Sequence, residues 1–170
     1  MDYFEWFNVA RRFEIDQTAL RKAFLTKSME LHPDKSTFDS DKQLELSGYN
    51  NLAYTTLKDN DKRFEYILTL EQIIISGEKP TLPQEFLMEM LEMNMEIDDA
   101  KQNKDDSILE KIKLVISQKK SEAVGSIQGI MNQYDNGQIV ETDLLKLKKY
   151  YYLSKYLLRI EESIYTFASH

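Results

Sequence analysis

His32-Pro33-Asp34-Lys35 follows one amphipathic stretch, Asp16 to Leu31, and precedes another, Asp41 to Leu57. Both stretches read as helices. Proline cannot extend the helix before it, so the chain must turn here. The turn presents an imidazole, a carboxylate and an ammonium together at the tip of a helical hairpin. Such a tip suits docking on another protein; by itself it does not make a reaction centre.

The flanks support the hairpin. Asp16 is placed to cap the second helix by accepting its free amide protons. Leu20, Phe24 and Leu31 fall close together around that helix, with Ala23 beside them, and read as core. Residues 33–40 are polar and turn-rich. Ser40 with Gln43 then has capping-box spacing, and the third helix carries Leu44, Tyr49, Leu52, Ala53 and Leu57. Asp59-Asn60-Asp61 interrupts it. Phe64, Ile67, Leu68 and the run Leu70 to Ile75 predict a fourth, shorter helix, with Ile73-Ile74-Ile75 as a strand the alternative. Tyr3, Phe4, Phe7 and Val9 predict a short first helix or turn.

Gly77-Glu78-Lys79-Pro80-Thr81-Leu82-Pro83 is a clear break, and Pro83 suits the first turn of a new helix. Three longer helices are expected beyond it: Pro83–Gln102, Asp106–Tyr134 and Thr142–Phe167, with Asn136-Gly137 marking the second turn. The middle one has a single long apolar stripe: Ile108, Ile112, Val115, Ile116, Ala123, Ile127, Ile130 and Tyr134. It suits a bundle. The last is apolar around much of its circumference, with Leu144, Leu147, Tyr151, Leu158 and Tyr165 on one side.

Composition excludes several classes. The 170 residues include 5 glycines, 3 prolines and no cysteine. Helices are favoured over sheets, while disulfides, thiolate nucleophiles and sulfur-ligated zinc or iron–sulfur clusters are excluded. The two histidines, His32 and His170, leave only a mostly carboxylate metal site, and no calcium-loop spacing is present. No metal or cofactor is expected. No run of 18 apolar residues suggests a membrane span, the opening Met1-Asp2-Tyr3-Phe4-Glu5 lacks a secretory pattern, and the cytoplasm is the expected location. The net charge of −7 argues against a nucleic-acid surface. From Gln84 to Glu110, nine acids face only Lys101 and Lys104, whereas the first 35 residues balance six bases against six acids. Two surfaces with different partners are expected.

The helix after Pro83 carries two apolar faces. Phe86, Met90, Met93 and Ile97 lie within about 60° of arc, a sufficient core stripe. Leu87, Met88, Leu91 and Met95 form a second stripe bordered by Glu92 and Asp99. Either both faces are buried, or the second is a docking surface with an apolar centre and an acidic rim. For the His-Pro-Asp turn the alternatives are a structural turn, a protein contact or, least favoured, a general acid–base group, which would need a pocket and a second positioned group.

Residues 1–75 resemble a J domain, the four-helix module that stimulates DnaK-type chaperone ATPases. The resemblance rests on Leu20-Arg21-Lys22-Ala23-Phe24, Leu31-His32-Pro33-Asp34-Lys35 and Asn50-Asn51-Leu52-Ala53-Tyr54-Thr55-Thr56-Leu57. The whole chain is similar to the HscB-type co-chaperones of iron–sulfur cluster assembly, through Met1-Asp2-Tyr3-Phe4, Arg63-Phe64-Glu65-Tyr66-Ile67-Leu68-Thr69-Leu70 and Phe86-Leu87-Met88-Glu89-Met90-Leu91-Glu92.

The resemblance implies an all-α fold: a J domain over 1–76, a linker over 77–83 and a three-helix scaffold-binding bundle over 84–170. It implies a non-enzymatic adaptor that binds an iron–sulfur cluster scaffold protein and delivers it to a dedicated DnaK-type chaperone. Arg21, Lys22, Lys27, His32, Pro33, Asp34 and Lys35 would meet the chaperone. Leu87, Met88, Leu91, Glu92, Met95, Glu96, Asp99 and Tyr152 would meet the scaffold. The family often has phenylalanine in place of Tyr152. J domains also usually carry several bases along the second helix, where Leu25, Thr26, Met29 and Glu30 stand here. A J-domain adaptor for another client, or a helical interaction protein with an inactive turn, are the alternative readings.

Overall fold

Aspartate opens every helix of the N-terminal part. Asp2 caps α1 (Tyr3–Phe7) in a reciprocal box with Glu5, Asp16 caps α2 (Gln17–Glu30), Asp39 caps α3 (Ser40–Lys58) and Asp59 caps α4 (Asn60–Leu70). Each carboxylate accepts from first-turn amides that have no partner within the helix. The computed structural model describes residues 1–32, 39–75, 77–78, 81–138 and 141–166. Among the described residues three further helices follow, α5 (Gln84–Asn103), α6 (Asp106–Asp135) and α7 (Glu141–Tyr165), and there is no strand. The architecture is all-α, with a helical hairpin followed by a helix bundle.

The chain divides into two compact units. The first holds Met1–Gln72 together with Asn132–Gln138; the second holds the remainder. In the first, α2 and α3 run antiparallel, as their cross-contacts show. Gln43 Nε2 donates to the Leu31 carbonyl (2.6 Å), Asn50 Nδ2 to Ser28 Oγ (3.0 Å), Tyr54 stacks on Phe24 (4.2 Å between ring centres), and Gln17 donates to the Lys58 carbonyl (3.4 Å). Phe4, Phe7, Leu20, Leu57, Ile67 and Leu68 fill the core. Asn50, 2% exposed, is satisfied there: the Trp6 indole donates to its Oδ1 at 2.9 Å.

Arg63 is buried, and among the described residues no carboxylate pairs with it at hydrogen-bond range. Its guanidinium donates to the carbonyls of Phe13 (2.9 Å) and Leu57 (2.5 Å) and to Asn60 Oδ1 (2.7 Å). Burial lowers its proton affinity, against the opposing pull of Glu14, Asp135 and Asp59. The Asp135 carboxylate accepts the amides of Phe13 (2.7 Å) and Glu14 (2.9 Å). The Phe13 segment is therefore held by an acceptor on its amides and a donor on its carbonyl.

In the second unit Met90, Met93 and Ile97 of α5 meet Ile112 and Ile116 of α6 and Leu157, Ile160 and Ile164 of α7. Lys119 pairs with Glu89 at 2.6 Å and Lys120 pairs with Glu161, so α6 runs against both neighbours. Phe86 beside Tyr156 and Lys101 donating to the Thr166 carbonyl (2.7 Å) set α5 and α7 parallel. Lys104, at φ 55, turns the chain between α5 and α6, and Asp105 caps the new helix through Ser107 and Ile108.

Four expectations are corrected. The cap of α3 is Asp39, one residue before Ser40; Gln43 is spent on the Leu31 carbonyl. Helix α4 stops at Leu70, because Gln72 takes a left-handed φ of 57, and Ile73-Ile74-Ile75 is neither helix nor strand. Val115 is exposed, turned aside from the stripe that buries Ile112 and Ile116. On α7 the buried apolar side chains include Leu147, Leu157, Ile160 and Ile164, whereas Leu158 and Tyr165 are exposed.

Candidate functional site

The first surface is α2 and the turn beyond it. Arg21, Lys22 and His32 are exposed. The His32 amide donates to the Met29 carbonyl at 3.4 Å, the last bond of the helix end. Pro33, Asp34 and Lys35 lie outside the described residues. Lys27 does not join Arg21 and Lys22. It sits about 120° away around α2 by helical geometry, with Nζ 3.3 Å from Glu30 Oε2 and 5.3 Å from the centre of the Trp6 ring. On the face that runs from Arg21 to His32, Leu25 and Met29 are exposed, at 48% and 56%.

The second surface is α5, whose two stripes separate as helical geometry requires. Met90 and Ile97 are buried at 0% and 1% exposure, while Leu87, Met88, Leu91 and Met95 are 38%, 51%, 54% and 61% exposed. The exposed set is centred about 145° from the buried set. Glu92, Glu96 and Asp99 are exposed along one border. Asp98, not singled out from the sequence, is also exposed and falls inside the apolar arc near its C-terminal end. Glu89 is committed to Lys119 and takes no part in the rim.

Tyr152 stands on α7. One turn later Tyr156 meets Phe86 edge-on (5.9 Å), so the parallel register places Tyr152 toward the start of α5. Its hydroxyl lies 3.4 Å from Glu78 Oε2, and Glu78 also holds Lys148 at 2.6 Å. Burial and then the Glu78 carboxylate raise the phenol above its usual range; the Lys148 hydrogen bond holds Glu78 below the ordinary carboxylate range. The extra hydroxyl of tyrosine thus has a partner. Glu78 was not foreseen, because a glutamate in a predicted linker carries no signal of its spatial neighbour.

Both surfaces set exposed apolar side chains beside charged ones, the arrangement in which an interface excludes water at its centre and selects orientation at its rim. Among the described residues no group of three or more His, Asp or Glu side chains is placed to hold a metal ion, and no helix is long and apolar enough to cross a membrane.

The chain is similar to known proteins in both sequence and fold. Residues 82–165 match the family model of the HSCB C-terminal oligomerisation domain. The co-chaperone protein HscB of Proteus mirabilis (strain HI4320) is 36% identical over 110 residues, which span 62% of this chain and 64% of that relative's length. The solved structure of chaperone HscB from Vibrio cholerae superposes with a TM-score of 0.76 at 25% identity, covering 96% of each chain. The crystal structure of human co-chaperone protein HscB shares the fold, with a TM-score of 0.73 at 23% identity over 97% of this chain and 81% of that one.

Proposed function

We propose that the chain is an HscB-type co-chaperone, a non-enzymatic adaptor of iron–sulfur cluster assembly that binds a cluster scaffold protein and presents it to a DnaK-type chaperone; the family-model match over residues 82–165, the similar co-chaperone of Proteus mirabilis and the shared fold of chaperone HscB from Vibrio cholerae support this reading. The observation that carries this reading is the α5 strip. Four large apolar side chains stand exposed beside an acidic border, on the same helix whose other face packs Met90, Met93 and Ile97 into the core. A contiguous oily strip of this kind costs solubility unless a partner covers it.

In this reading the bundle over 84–170 captures the scaffold through Leu87, Met88, Leu91, Met95 and Tyr152. Glu92, Glu96 and Asp99 set the encounter and the register. The module over 1–76 meets the chaperone through His32, Pro33, Asp34 and Lys35, with Arg21 and Lys22 steering. Lys27, paired with Glu30 and resting on Trp6, contributes to the shape of the module more than to its field. The adaptor accelerates ATP turnover in its partner by binding the hydrolysis-competent state of the chaperone more tightly than the resting state; equal affinity for both would shift nothing.

The test is ATP turnover by the cognate chaperone with this protein and the scaffold added separately and together. Each alone is expected to stimulate weakly and the pair synergistically. Strictly additive stimulation would reject a single delivery complex. An adaptor for a different client would stimulate turnover alone and show no response to the scaffold.

A further inference from the structure

The α2 face that leads to His32 is mixed in character. Taking Arg21 as the origin, Leu25, Met29 and Lys22 follow within about 100° of arc, and the helix axis carries the same face to His32. All five residues are exposed. No acid falls in that arc: Glu30 lies on the far side, held by Lys27. The two bases occupy the first half of the strip, and the half next to His32 is apolar, with Leu25 at 48% and Met29 at 56% exposure. Neighbouring core positions of the same helix, Leu20 and Leu31, are buried, so the two exposed side chains are not needed for the packing of α2.

Resting on the chaperone-binding reading above, we infer that the partner chaperone offers this chain a divided surface: acidic opposite Arg21 and Lys22, and apolar opposite Leu25 and Met29. Continuity with His32 selects the chaperone as the occupant. Anything seated on the His32 turn and on Arg21 must pass over Leu25 and Met29. Binding then depends on dewetting two side chains as well as on charge. On this strip Arg21 and Lys22 carry the salt-sensitive part, because screening acts on the charged half and leaves the apolar half intact.

The experiment measures the concentration of this protein that gives half-maximal stimulation of the cognate chaperone's ATPase, at low and high salt. The variants are Leu25→Ala with Met29→Ala, Leu25→Lys with Met29→Lys, and His32→Gln. Circular dichroism and the fluorescence of Trp6, the single tryptophan, verify that each folds. The alanine pair is expected to need roughly tenfold more protein, as for loss of a central apolar contact, at both salt concentrations. The lysine pair is expected to be weaker still. Unchanged stimulation by the alanine pair, or tighter binding by the lysine pair, with His32→Gln inactive, overturns the divided surface and leaves the co-chaperone reading standing. No stimulation by the unmodified protein overturns that reading, and the inference with it.

Discussion

Met90 and Leu91 are adjacent on α5 and are expected to fail in opposite ways when truncated. Met90 is 0% exposed and packs in the bundle core with Met93, Ile97 and Ile116. Replacing a buried methionine by alanine removes transfer energy and leaves a cavity, a cost of about 2–5 kcal/mol, a large part of a domain stability of roughly 5–15 kcal/mol. Leu91 is 54% exposed. Its truncation leaves no cavity, and alanine is at least as good a helix former, so stability should change by less than about 0.5 kcal/mol. Half of the Leu91 side chain remains to be covered by a partner. At about 2 kcal/mol for a fully buried leucine, covering that half contributes roughly 1 kcal/mol. Leu91→Ala should therefore weaken scaffold binding about fivefold, and Met90→Ala should leave the affinity nearly unchanged below its unfolding transition. Urea denaturation followed by circular dichroism gives the stabilities, and calorimetric titration with the scaffold gives the affinities. If Leu91→Ala destabilises as much as Met90→Ala, the second stripe is packing surface and the docking reading of α5 is wrong.

Three further outcomes follow from other parts of the molecule. His32→Gln should abolish stimulation of the chaperone ATPase while scaffold binding and the circular dichroism spectrum stay as they are; a variant that stimulates normally would remove His32 from the chaperone contact. Arg63→Met strips the donors from the buried carbonyls of Phe13 and Leu57. Each orphaned acceptor costs about 1–3 kcal/mol, offset in part because no cation is buried, so a net loss of about 2 kcal/mol is expected; unchanged urea unfolding of the N-terminal unit, read by Trp6 fluorescence, would contradict it. Tyr66 has its phenol pushed up to about 12, chiefly by burial, while its oxygen accepts the Tyr3 amide at 3.0 Å. A folded-state value raised above the unfolded one stabilises fully below the unfolded value of 10.0 and is lost as pH rises toward about 12. The unmodified protein should therefore lose more stability across that window than Tyr66→Phe, and parallel profiles would remove Tyr66 as the cause.

The helices and the two stripes of α5 were legible because their signals are local. Asp16 sits where unpaired amides need an acceptor, Asp59-Asn60-Asp61 interrupts a helix, and a spacing of three and four residues separates Met90 and Ile97 from Leu87 and Leu91 whatever the rest of the chain does. The misses share one physical origin, the decision among local options by distant partners. Asp39 and Ser40 are both good caps, and the choice fell to Asp39 while Gln43 was drawn off by the Leu31 carbonyl. Apolar composition carries α4 on to Ile75, but a left-handed Gln72 ends it without the glycine that usually announces such a stop. On α7, apolar and aromatic side chains surround the helix, so periodicity alone could not select Leu157, Ile160 and Ile164 over Leu158 and Tyr165. In the sequence Arg63 stands out only as part of a family motif, and its burial depends on carbonyls 50 and 6 residues away.

The two partners proposed for this small chain must be told apart, and the two candidate surfaces carry opposite charge. The α2 strip carries Arg21 and Lys22 and no acid; the α5 strip is bordered by Glu92, Glu96 and Asp99, with Asp98 within it and no base. Apolar contact is indifferent to identity, since Leu25 and Leu91 offer a partner the same kind of surface. Discrimination must therefore come from what surrounds the oily centre, and repulsion of the wrong partner is the more economical device. An acidic chaperone surface placed on α5 would bring like charges together around a dewetted strip, where screening is weak. A basic scaffold surface placed on α2 would meet Arg21 and Lys22 in the same way. Neutralising the α5 rim with Glu92→Gln, Glu96→Gln and Asp99→Asn should then slow scaffold association far more than it speeds dissociation. It should also allow the chaperone to compete for the bundle. Stopped-flow association rates at low salt measure the first effect, and chaperone binding to the isolated variant in the presence of His32→Gln measures the second. A rim whose removal changes only the dissociation rate would mean that these carboxylates make direct, desolvated contacts and do not act as a selecting border.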